Sequence, residues 1–260
     1  PWVELLYYRQ FGDIDRLHKV FPALCAYAKW WRLNRTWPDG TYWSSGWGTG
    51  MDNMPRVKPE YNPIFSHGHM VWLDTNLQQM LVDESLLNIG FYIERWQEIE
   101  DMEDEMKRLR AYVNEHLWDE RTAFLYDRYG DGTLCTTKGI GAFWALQADA
   151  LDRERLDRMV AYLSDTTEFD RPHRVPSLSA DHPKYNPLGR YWQGGVWPGT
   201  NYMTIDGLYR KGYHDLAREI AANHYAAVFE VWKNTGTFWE YYAPEKLEPG
   251  FMARKDFVGW

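Results

Sequence analysis

Residues 69–98 read HMVWLDTNLQQMLVDESLLNIGFYIERWQE, a stretch in which apolar side chains recur every three or four positions. This is the spacing of one face of an α-helix. The side chains that we expect to point into a core are Trp72, Leu73, Leu77, Met80, Leu81, Leu87 and Ile93. The stretch therefore predicts a long helix with one buried face.

Helical spacing continues on both sides of this stretch, whereas the period-two alternation of a half-buried strand is absent. Upstream, a helix is predicted to start at Asp13, which can cap it, and to carry Trp30 and Trp31 into the core. Pro22 should kink this helix or mark a later start. Downstream, helices are predicted over 101–117, 138–150, 153–164, 201–211 and 214–233. Together these segments predict an all-α domain of about seven helices.

The connections between the predicted helices alternate in length. The tight ones lie at 99–100, 151–152 and 212–213. The long ones are rich in Gly, Pro, Trp and Tyr and lie at 35–68, 118–137, 165–200 and 234–260. If helices joined by tight turns run antiparallel, the long loops all emerge at the same end of the domain. We expect the functional site there, because long loops on a rigid scaffold usually carry binding and catalysis.

Composition excludes several classes of function. The 260 residues include 29 Lys and Arg against 37 Asp and Glu, a net charge of −8 without a basic run, which argues against nucleic-acid binding. No apolar run is long enough to span a membrane. Two cysteines give neither a disulfide framework nor a zinc-ligand spacing. The first residues show no secretory leader, and a cytoplasmic location is favoured.

Two of the long loops each carry a carboxylate among aromatic residues. Asp52 lies in SSGWGTGMDNMPR (44–56), and Glu240 lies in TFWEYYAPE (237–245). Burial against indole rings raises the pKa of a carboxyl group, which is what a general acid requires. The alternative for Asp52 is an Asx turn with Asn53. The rival carboxylates, in more ordinary turn-like surroundings, are Glu245, Glu248 and Asp256.

The third long loop contains YWQGGVWPGTNY (191–202), in which glycines lie beside two tryptophans and a glutamine. Flat rings can stack on the C–H faces of a sugar, and an amide can both donate to and accept from hydroxyls. Aromatic residues make up 17% of the chain, and those in the long loops favour a carbohydrate site. Two carboxylates on one face then suggest glycoside hydrolysis.

Four motifs resemble, in order, those of glycoside hydrolase family 63. SGWGTGMDNMPR (45–56) is similar to the family's SG(L/M)D(D/N)xPR signature, and YWQGGVWP (191–198) to its YWRGxxW segment. FWEYYAPE (238–245) resembles its ENYxP segment, and DFVGW (256–260) resembles its closing F(S/T)GW. The shared order over 45–260 is far more specific than any one motif.

The resemblance implies an (α/α)6 barrel that hydrolyses α-glycosides with inversion, with Asp52 as the general acid and Glu240 as the general base. Such a barrel has six helix pairs. We therefore expect one catalytic domain over 1–260 that lacks N-terminal helices and the last C-terminal helix. The sequence GTGMDN (48–53) is closer to bacterial members, including mannosylglycerate hydrolases, than to the eukaryotic processing glucosidase.

The chain departs from the family pattern at three places. Residues 47–50 are inserted before the Met-Asp pair, Gln193 stands where relatives often carry Arg, and Trp239-Glu240-Tyr241 replaces a simpler Glu-Asn. The last two differences could alter substrate choice. The residues that we expect to shape the sugar pocket are Trp47, Trp192, Trp197 and Trp239, with Gln193 and Tyr241 binding hydroxyls.

Arg56 is expected to pair with Asp52 or a nearby acid, or, like Arg190, to meet a carboxylate on the substrate. No metal site or cofactor is predicted. The calcium-loop candidates Asp127, Asp131 and Gly132 lack the remaining EF-hand ligand positions, and the histidine pair His67 and His69 lacks a partner ligand.

The sequence thus predicts an inverting hydrolase of a small α-glucoside or α-mannoside, mannosylglycerate among the candidates, with a small carbohydrate as its partner. Two other classes stay open. A non-catalytic carbohydrate-binding protein would need the aromatic residues but not both acids. A different (α/α)6 enzyme, such as a polysaccharide lyase or glycoside phosphorylase, would need a Tyr or His base or a phosphate pocket. The oligomeric state is not determined by the sequence.

Overall fold

The computed structural model describes residues 1–255 and is about 52% helical. Its α-helices are α1 (Trp2–Phe11), α2 (Ile14–Asn34), α3 (Gly46–Thr49), α4 (Leu73–Tyr92), α5 (Glu100–Tyr112), α6 (Ala145–Ala148), α7 (Arg153–Val160), α8 (Pro198–Arg210) and α9 (His214–Thr235). A π-helical turn over Val113–Leu117 extends α5, and 3-10 turns cover Trp96–Glu98, Ile140–Trp144 and Ala161–Ser164. The predicted helical class is confirmed, with α1 and α3 as helices that the sequence pattern missed.

Local chemistry sets several helix ends. The Asp13 side chain accepts a hydrogen bond from the backbone N–H of Arg16 at 3.0 Å and so caps α2, as predicted. The helix runs through Pro22, so the expectation of a later start is wrong. The prolyl ring fixes a helical φ and removes one backbone donor, a loss that α2 tolerates. At the other end of the chain, α9 stops where Gly236 adopts a left-handed conformation with φ 74°.

The long predicted helix corresponds to α4, and most of its predicted inward positions are buried. Leu87 is only half-buried, because Leu86 and Ile89 take the inward positions of that turn. Trp30, expected in the core, is 46% exposed, whereas its neighbour Trp31 packs against the main cluster. The helix pairs that pack together include α4 with α5, α2 with α4, α8 with α9 and α6 with α8.

Four two-residue strands fasten the loops. β1 (Met70–Val71) pairs antiparallel with β4 (Arg128–Tyr129), and β2 (Trp118–Asp119) pairs antiparallel with β3 (Phe124–Leu125). The pairing of β1 with β4 joins the segment before α4 to the second long loop. These strands are too short to carry an alternating pattern, which is why the sequence contains no strand signal.

The long loops contact one another on one face, as the alternation of connection lengths predicted. The first loop reaches the second through Arg56 and Asp127. The second reaches the third where the Thr137 hydroxyl lies 3.4 Å from Nε2 of His182. The third reaches the fourth through the bridge between Val196 and Tyr242. A rigid helical base therefore presents a continuous loop surface. No helix in the described part of the chain has the length and apolar character of a membrane span.

Candidate active site

The first long loop presents Asp52 on a tightly built turn. Most of the residues inserted relative to the family pattern lie in α3, whose start is capped by the Ser45 hydroxyl accepting from the N–H of Gly48 at 3.1 Å. Gly50 ends α3 in a left-handed conformation with φ 73°. A Cβ on Gly46 would lie 2.4 Å from the carbonyl oxygen of Pro63, so only glycine fits there. The insertion thus folds locally and does not displace Asp52 from the loop face.

Asp52 is half-buried beside the third long loop. Loss of solvent raises the pKa of its carboxyl group, and a hydrogen bond from its own backbone N–H partly offsets that rise. No cation in the described part of the chain opposes this rise. The carboxyl group of Asp52 therefore holds its proton to a higher pH than an ordinary aspartate.

Glu240 is 8% exposed and lies between two backbone bridges, Trp239 with Lys255 and Val196 with Tyr242. Loss of solvent raises the pKa of its carboxyl group, and the negative charge of Asp52 raises it further. The positive charge of Arg254 and a hydrogen bond from the backbone N–H of Arg254 lower it. Unlike Asp52, Glu240 thus has a cation that favours its ionised form.

Tyr191 lies close to both acids. Burial raises the pKa of its phenol first, and the charges of Asp52 and Glu240 raise it further. Its backbone has φ 56°, an unusual conformation for a bulky residue. Strain of this kind persists where surrounding contacts enforce it, and it concentrates at functional sites. Tyr191 is the first residue of the YWQGGVWP motif (191–198). Nothing in the sequence indicates its backbone conformation or its position close to both acids.

Three aromatic residues predicted for the sugar pocket form a buried stack instead of an open platform. Trp192 lies parallel to Trp197, with ring centroids 4.1 Å apart, and Trp197 stacks on Tyr241 at 4.6 Å. All three are at most 4% exposed. The Tyr241 hydroxyl donates to the carbonyl oxygen of Phe251 at 2.7 Å, so it is engaged within the protein. The stack forms a rigid wall behind Tyr191, whose ring meets it edge-on.

The remaining predicted pocket residues lie at the loop seams and at the rim. The Gln193 amide donates to the carbonyl oxygen of Asn53 at 3.1 Å and so links the third loop to the first. Trp239 is half-buried, and its indole N–H donates to the hydroxyl of Thr235 at 3.0 Å. Trp47 is 69% exposed. Contact of these residues with a sugar stays a prediction.

Asn53 is a second residue whose role sequence reasoning missed. Its side chain bonds two backbone groups of the third loop, at Arg190 and at Trp192. An Asx turn is the alternative interpretation of this dipeptide, but these hydrogen bonds of the Asn53 amide run between loops. The dipeptide therefore combines the candidate acid with the residue that anchors its loop.

Arg56 is buried and held by two acids. It is 6% exposed and spans two buried acids, with Nη1 2.6 Å from Asp74 Oδ2 and Nη2 2.6 Å from Asp127 Oδ1. Its guanidinium lies 4.3 Å from the ring centre of Trp72. The expectation of a nearby acid is met by Asp74 and Asp127, not by Asp52. Contact of Arg56 with a substrate stays a prediction.

The rival carboxylates and metal candidates have other roles or lie elsewhere. Glu245 pairs with Arg171 at 2.7 Å and accepts from the Tyr185 hydroxyl, so its charge is used structurally. Asp131 pairs with Lys58 at 2.6 Å. Within residues 1–255, no group of three or more His, Cys, Asp or Glu side chains could hold a metal ion. Asp256 and the closing motif over 256–260 lie outside the described residues.

Comparison with known proteins points to the same family as the sequence motifs. The family model for the mannosylglycerate hydrolase MGH1-like glycoside hydrolase domain matches residues 2–250. An uncharacterized protein of Borreliella burgdorferi is 25% identical over 257 residues, which cover 96% of this chain and 52% of that protein. The probable mannosyl-oligosaccharide glucosidase of Schizosaccharomyces pombe is 24% identical over 281 residues, covering 95% of this chain and 34% of that protein.

Among solved structures, the GH63 mannosylglycerate hydrolase from Thermus thermophilus in complex with glucose matches with a TM-score of 0.81 at 21% identity. The match covers 95% of this chain and 69% of that one. The fold is thus the all-α (α/α)6 barrel type, present here in part. The chain spans about half or less of the two curated relatives above. By its family model and its motifs, the chain belongs to glycoside hydrolase family 63, in the mannosylglycerate hydrolase MGH1-like group.

Proposed function

We propose that this domain hydrolyses a small α-linked glucoside or mannoside with inversion of the anomeric configuration. The observation that carries the proposal is a pair of desolvated carboxylates, Asp52 and Glu240, whose charges interact across one loop face. Paired carboxylates in different electrostatic surroundings are the machinery of glycoside hydrolysis. Membership of a glycoside hydrolase family supports the same reaction class.

The surroundings of the two acids support a division of roles. Burial favours the protonated form of Asp52 without an opposing cation, which suits a general acid. The pKa of Glu240 is raised by burial as well, but the positive charge of Arg254 opposes that rise, and this difference from Asp52 suits a general base. Asp52 then protonates the departing glycosidic oxygen. Glu240 takes a proton from the water that attacks the anomeric carbon from the opposite face, a geometry that needs about 6.5–9.5 Å between the carboxyl groups.

Tyr191 and the aromatic stack form a rigid wall of the site, which supports the same reaction. The stack of Trp192, Trp197 and Tyr241 holds the ring of Tyr191 edge-on, close to both acids. The phenol of a tyrosine is protonated at neutral pH, so the Tyr191 hydroxyl can donate to a sugar oxygen. We assign Tyr191 the role of orienting the sugar that is cleaved.

Mannosylglycerate is a candidate substrate because of Arg190. Its side chain is exposed on the loop face, and Asn53 holds its backbone carbonyl oxygen. Since Arg56 is engaged by two acids, Arg190 is the one of the two predicted arginines that we expect to meet a glycerate carboxylate.

Proton NMR of the full-length protein with α-glucosides, α-mannosides and mannosylglycerate tests the reaction. We expect the β anomer of the released sugar to appear first. Asp52→Asn and Glu240→Gln should each lower kcat by about 10²–10⁴-fold while leaving the circular dichroism spectrum unchanged. Glu248→Gln is the matched control, since that acid is exposed on the same loop as Glu240 and should keep its activity. First release of the α anomer, or near-normal turnover in either acid variant, contradicts the mechanism.

A further inference from the structure

A short segment of the third long loop, residues 172–175, is clamped by the side of α9. The Asn223 amide donates to the carbonyl oxygen of Pro172 and accepts from the backbone N–H of Arg174, both at 2.9 Å. Val175 has φ 61°, a conformation that a β-branched residue adopts only where surrounding contacts enforce it. The helix therefore holds this segment in one strained conformation.

A pair of buried histidines adds a side-chain contact to the clamp. Nε2 of His173, a residue with 0% exposure, lies 2.8 Å from Nδ1 of His224 on α9. Burial lowers the pKa of both imidazoles, that of His224 to about 4, so both are neutral at neutral pH. In a neutral pair one ring nitrogen donates the hydrogen bond and the other accepts it. The pair therefore fixes the ring of His173 relative to the helix.

His173 also contacts the fourth long loop, which carries Glu240. Its backbone N–H donates to the carbonyl oxygen of Pro244 at 2.8 Å. Its ring packs on that of Tyr242, with centroids 5.7 Å apart. Tyr242 is 1% exposed, and its backbone is bridged to Val196. The fourth loop is thus braced against α9 through His173.

Tyr242 in turn holds the residue that precedes Glu240. The Tyr242 hydroxyl accepts a hydrogen bond from the backbone N–H of Trp239 at 3.2 Å. The phenol therefore fixes the backbone that leads into the candidate base. A catalytic side chain needs support of this kind, since it must be held within about 0.5 Å of its productive position.

We propose that His173 and His224 are positioning residues for Glu240 and act through Tyr242. This inference rests on the proposed function, in which Glu240 is the general base, and adds the residues that hold it in place. Neither histidine touches the substrate in this arrangement. A misplaced base slows the chemical step, whereas binding of the sugar in the ground state is little changed. Loss of the pair should therefore lower kcat and leave KM nearly unchanged.

Substitution of His224 tests the pair in the full-length protein, with α-glucosyl and α-mannosyl fluoride as substrates. His224→Leu should lower kcat about tenfold and change KM less than about twofold. His224→Asn keeps a polar nitrogen near the position of Nδ1 and should recover most of the loss. His214→Leu, the same substitution at an exposed site on α9, is the matched control and should change neither constant.

Removal of the base distinguishes a positioning role from a merely structural one. In Glu240→Gln no base is left to position, so His224→Leu added to that variant should leave the residual turnover unchanged. Tyr242→Phe removes only the hydroxyl that accepts from Trp239 and should lower kcat as His224→Leu does. Combined, these two substitutions should cost no more than the larger single loss, because they break one chain of contacts.

The outcomes separate this inference from the proposed function. If the wild-type protein hydrolyses neither fluoride nor any α-glucoside or α-mannoside, the hydrolase function fails and the positioning role with it. If Glu240→Gln lowers turnover while His224→Leu does not, the hydrolase stands and the positioning role is wrong. Equal losses from His224→Leu with and without Glu240 also contradict it. If the circular dichroism spectrum shows that His224→Leu does not fold, Tyr242→Phe decides by the same criteria.

Discussion

The side-chain oxygen of Asn53 accepts a hydrogen bond from the backbone N–H of Trp192 at 2.8 Å, although 139 residues separate them. The Nδ2 of the same amide donates to the carbonyl oxygen of Arg190 at 3.1 Å. Asn53 follows Asp52 directly, and Trp192 follows Tyr191. One amide therefore fixes the distance between the candidate acid and the tyrosine that lies close to both acids.

Substitution of Asn53 should impair activity more than stability. Asn53→Asp keeps the acceptor for Trp192 but sets an oxygen against the carbonyl of Arg190, so we expect kcat to fall about 10- to 100-fold through misplacement of Asp52. The free energy of unfolding should fall by about 1–2 kcal/mol. Steady-state kinetics and urea denaturation measure both. Asn88→Ala, which removes a local bond to the carbonyl oxygen of Glu84, is the control; equal kinetic loss there would contradict the clamp.

Arg56 should behave as a stability residue. Arg56→Met leaves Asp74 and Asp127 buried without their cation, and we expect a loss of about 3–5 kcal/mol in the free energy of unfolding. Lysine should restore less than half of it, because one ammonium cannot bridge both carboxylates as the guanidinium does. Urea denaturation measures the loss. Arg121→Met, at a side chain 83% exposed, should change stability little; an unaltered midpoint for Arg56→Met would contradict the assignment.

Arg254 should tune the pH dependence of the reaction. Arg254→Gln removes the positive charge that lowers the pKa of Glu240 and keeps the backbone N–H that donates to it. The pKa of Glu240 then rises, so its ionised form is lost at a higher pH and the acidic limb of the kcat/KM profile moves upward. Lys246→Gln, an equal loss of charge at an exposed site of the same loop, is the control. A profile that shifts equally in both variants, or in neither, argues against Glu240 as the base.

Besides Asp74 and Asp127, a second pair of buried acids contacts the first long loop through Tyr42. Asp83 and Glu105 are 0% and 1% exposed. Glu105 accepts from the Tyr42 hydroxyl at 2.6 Å and pairs with Arg32, while Gln79 donates to Asp83 at 2.8 Å. Burial first, and then the charge of Glu105, raise the pKa of Asp83 to about 9. Asp83 is therefore protonated in the folded protein at neutral pH.

Protonation of Asp83 makes stability depend on pH in a definite direction. The unfolded chain releases this proton near pH 4 and the folded chain near pH 9, so between these values rising pH favours unfolding. Asp83→Asn removes the titration. Its stability relative to the wild type should therefore rise between pH 5 and pH 8, by on the order of 1 kcal/mol or more. Urea denaturation at both pH values tests this, with the exposed Asp104→Asn as control. A constant difference for Asp83→Asn contradicts the raised pKa of Asp83.

Helices with one clear apolar face could be predicted from the sequence, and those without one could not. The spacing along α4 works because its inward positions are buried in order. In α1 only Leu5 is buried while Val3 and Phe11 are exposed, so apolar residues there mark no single face. The region 138–150 is predicted as one helix, but the structure has a 3-10 turn followed by the short α6. Close packing of Gly141 against Asp74 accompanies that change.

The two candidate carboxylates could be singled out from the sequence, because they lie in motifs that are local in sequence. Their catalytic roles stay a prediction. The exposure of the surrounding aromatics could not be predicted. Trp47 and Trp192 both lie in long loops close to glycines. Trp47 is nevertheless 69% exposed, whereas Trp192 is 4% exposed. The difference comes from partners that fold in from other segments, such as Trp197 and Tyr241. Arg56 shows the same limit, since Asp127, one of its two acids, lies 71 residues away.

The bridge between Val196 and Tyr242 also means that the candidate site forms late in synthesis of the chain, because it needs the fourth loop. On the ribosome, Asp52 emerges early, whereas Glu240 is made only after nearly every helix described here. A growing or prematurely terminated chain that stops within α9 carries the candidate acid without the candidate base. In the proposed mechanism, hydrolysis therefore requires the last loop to pair with the third.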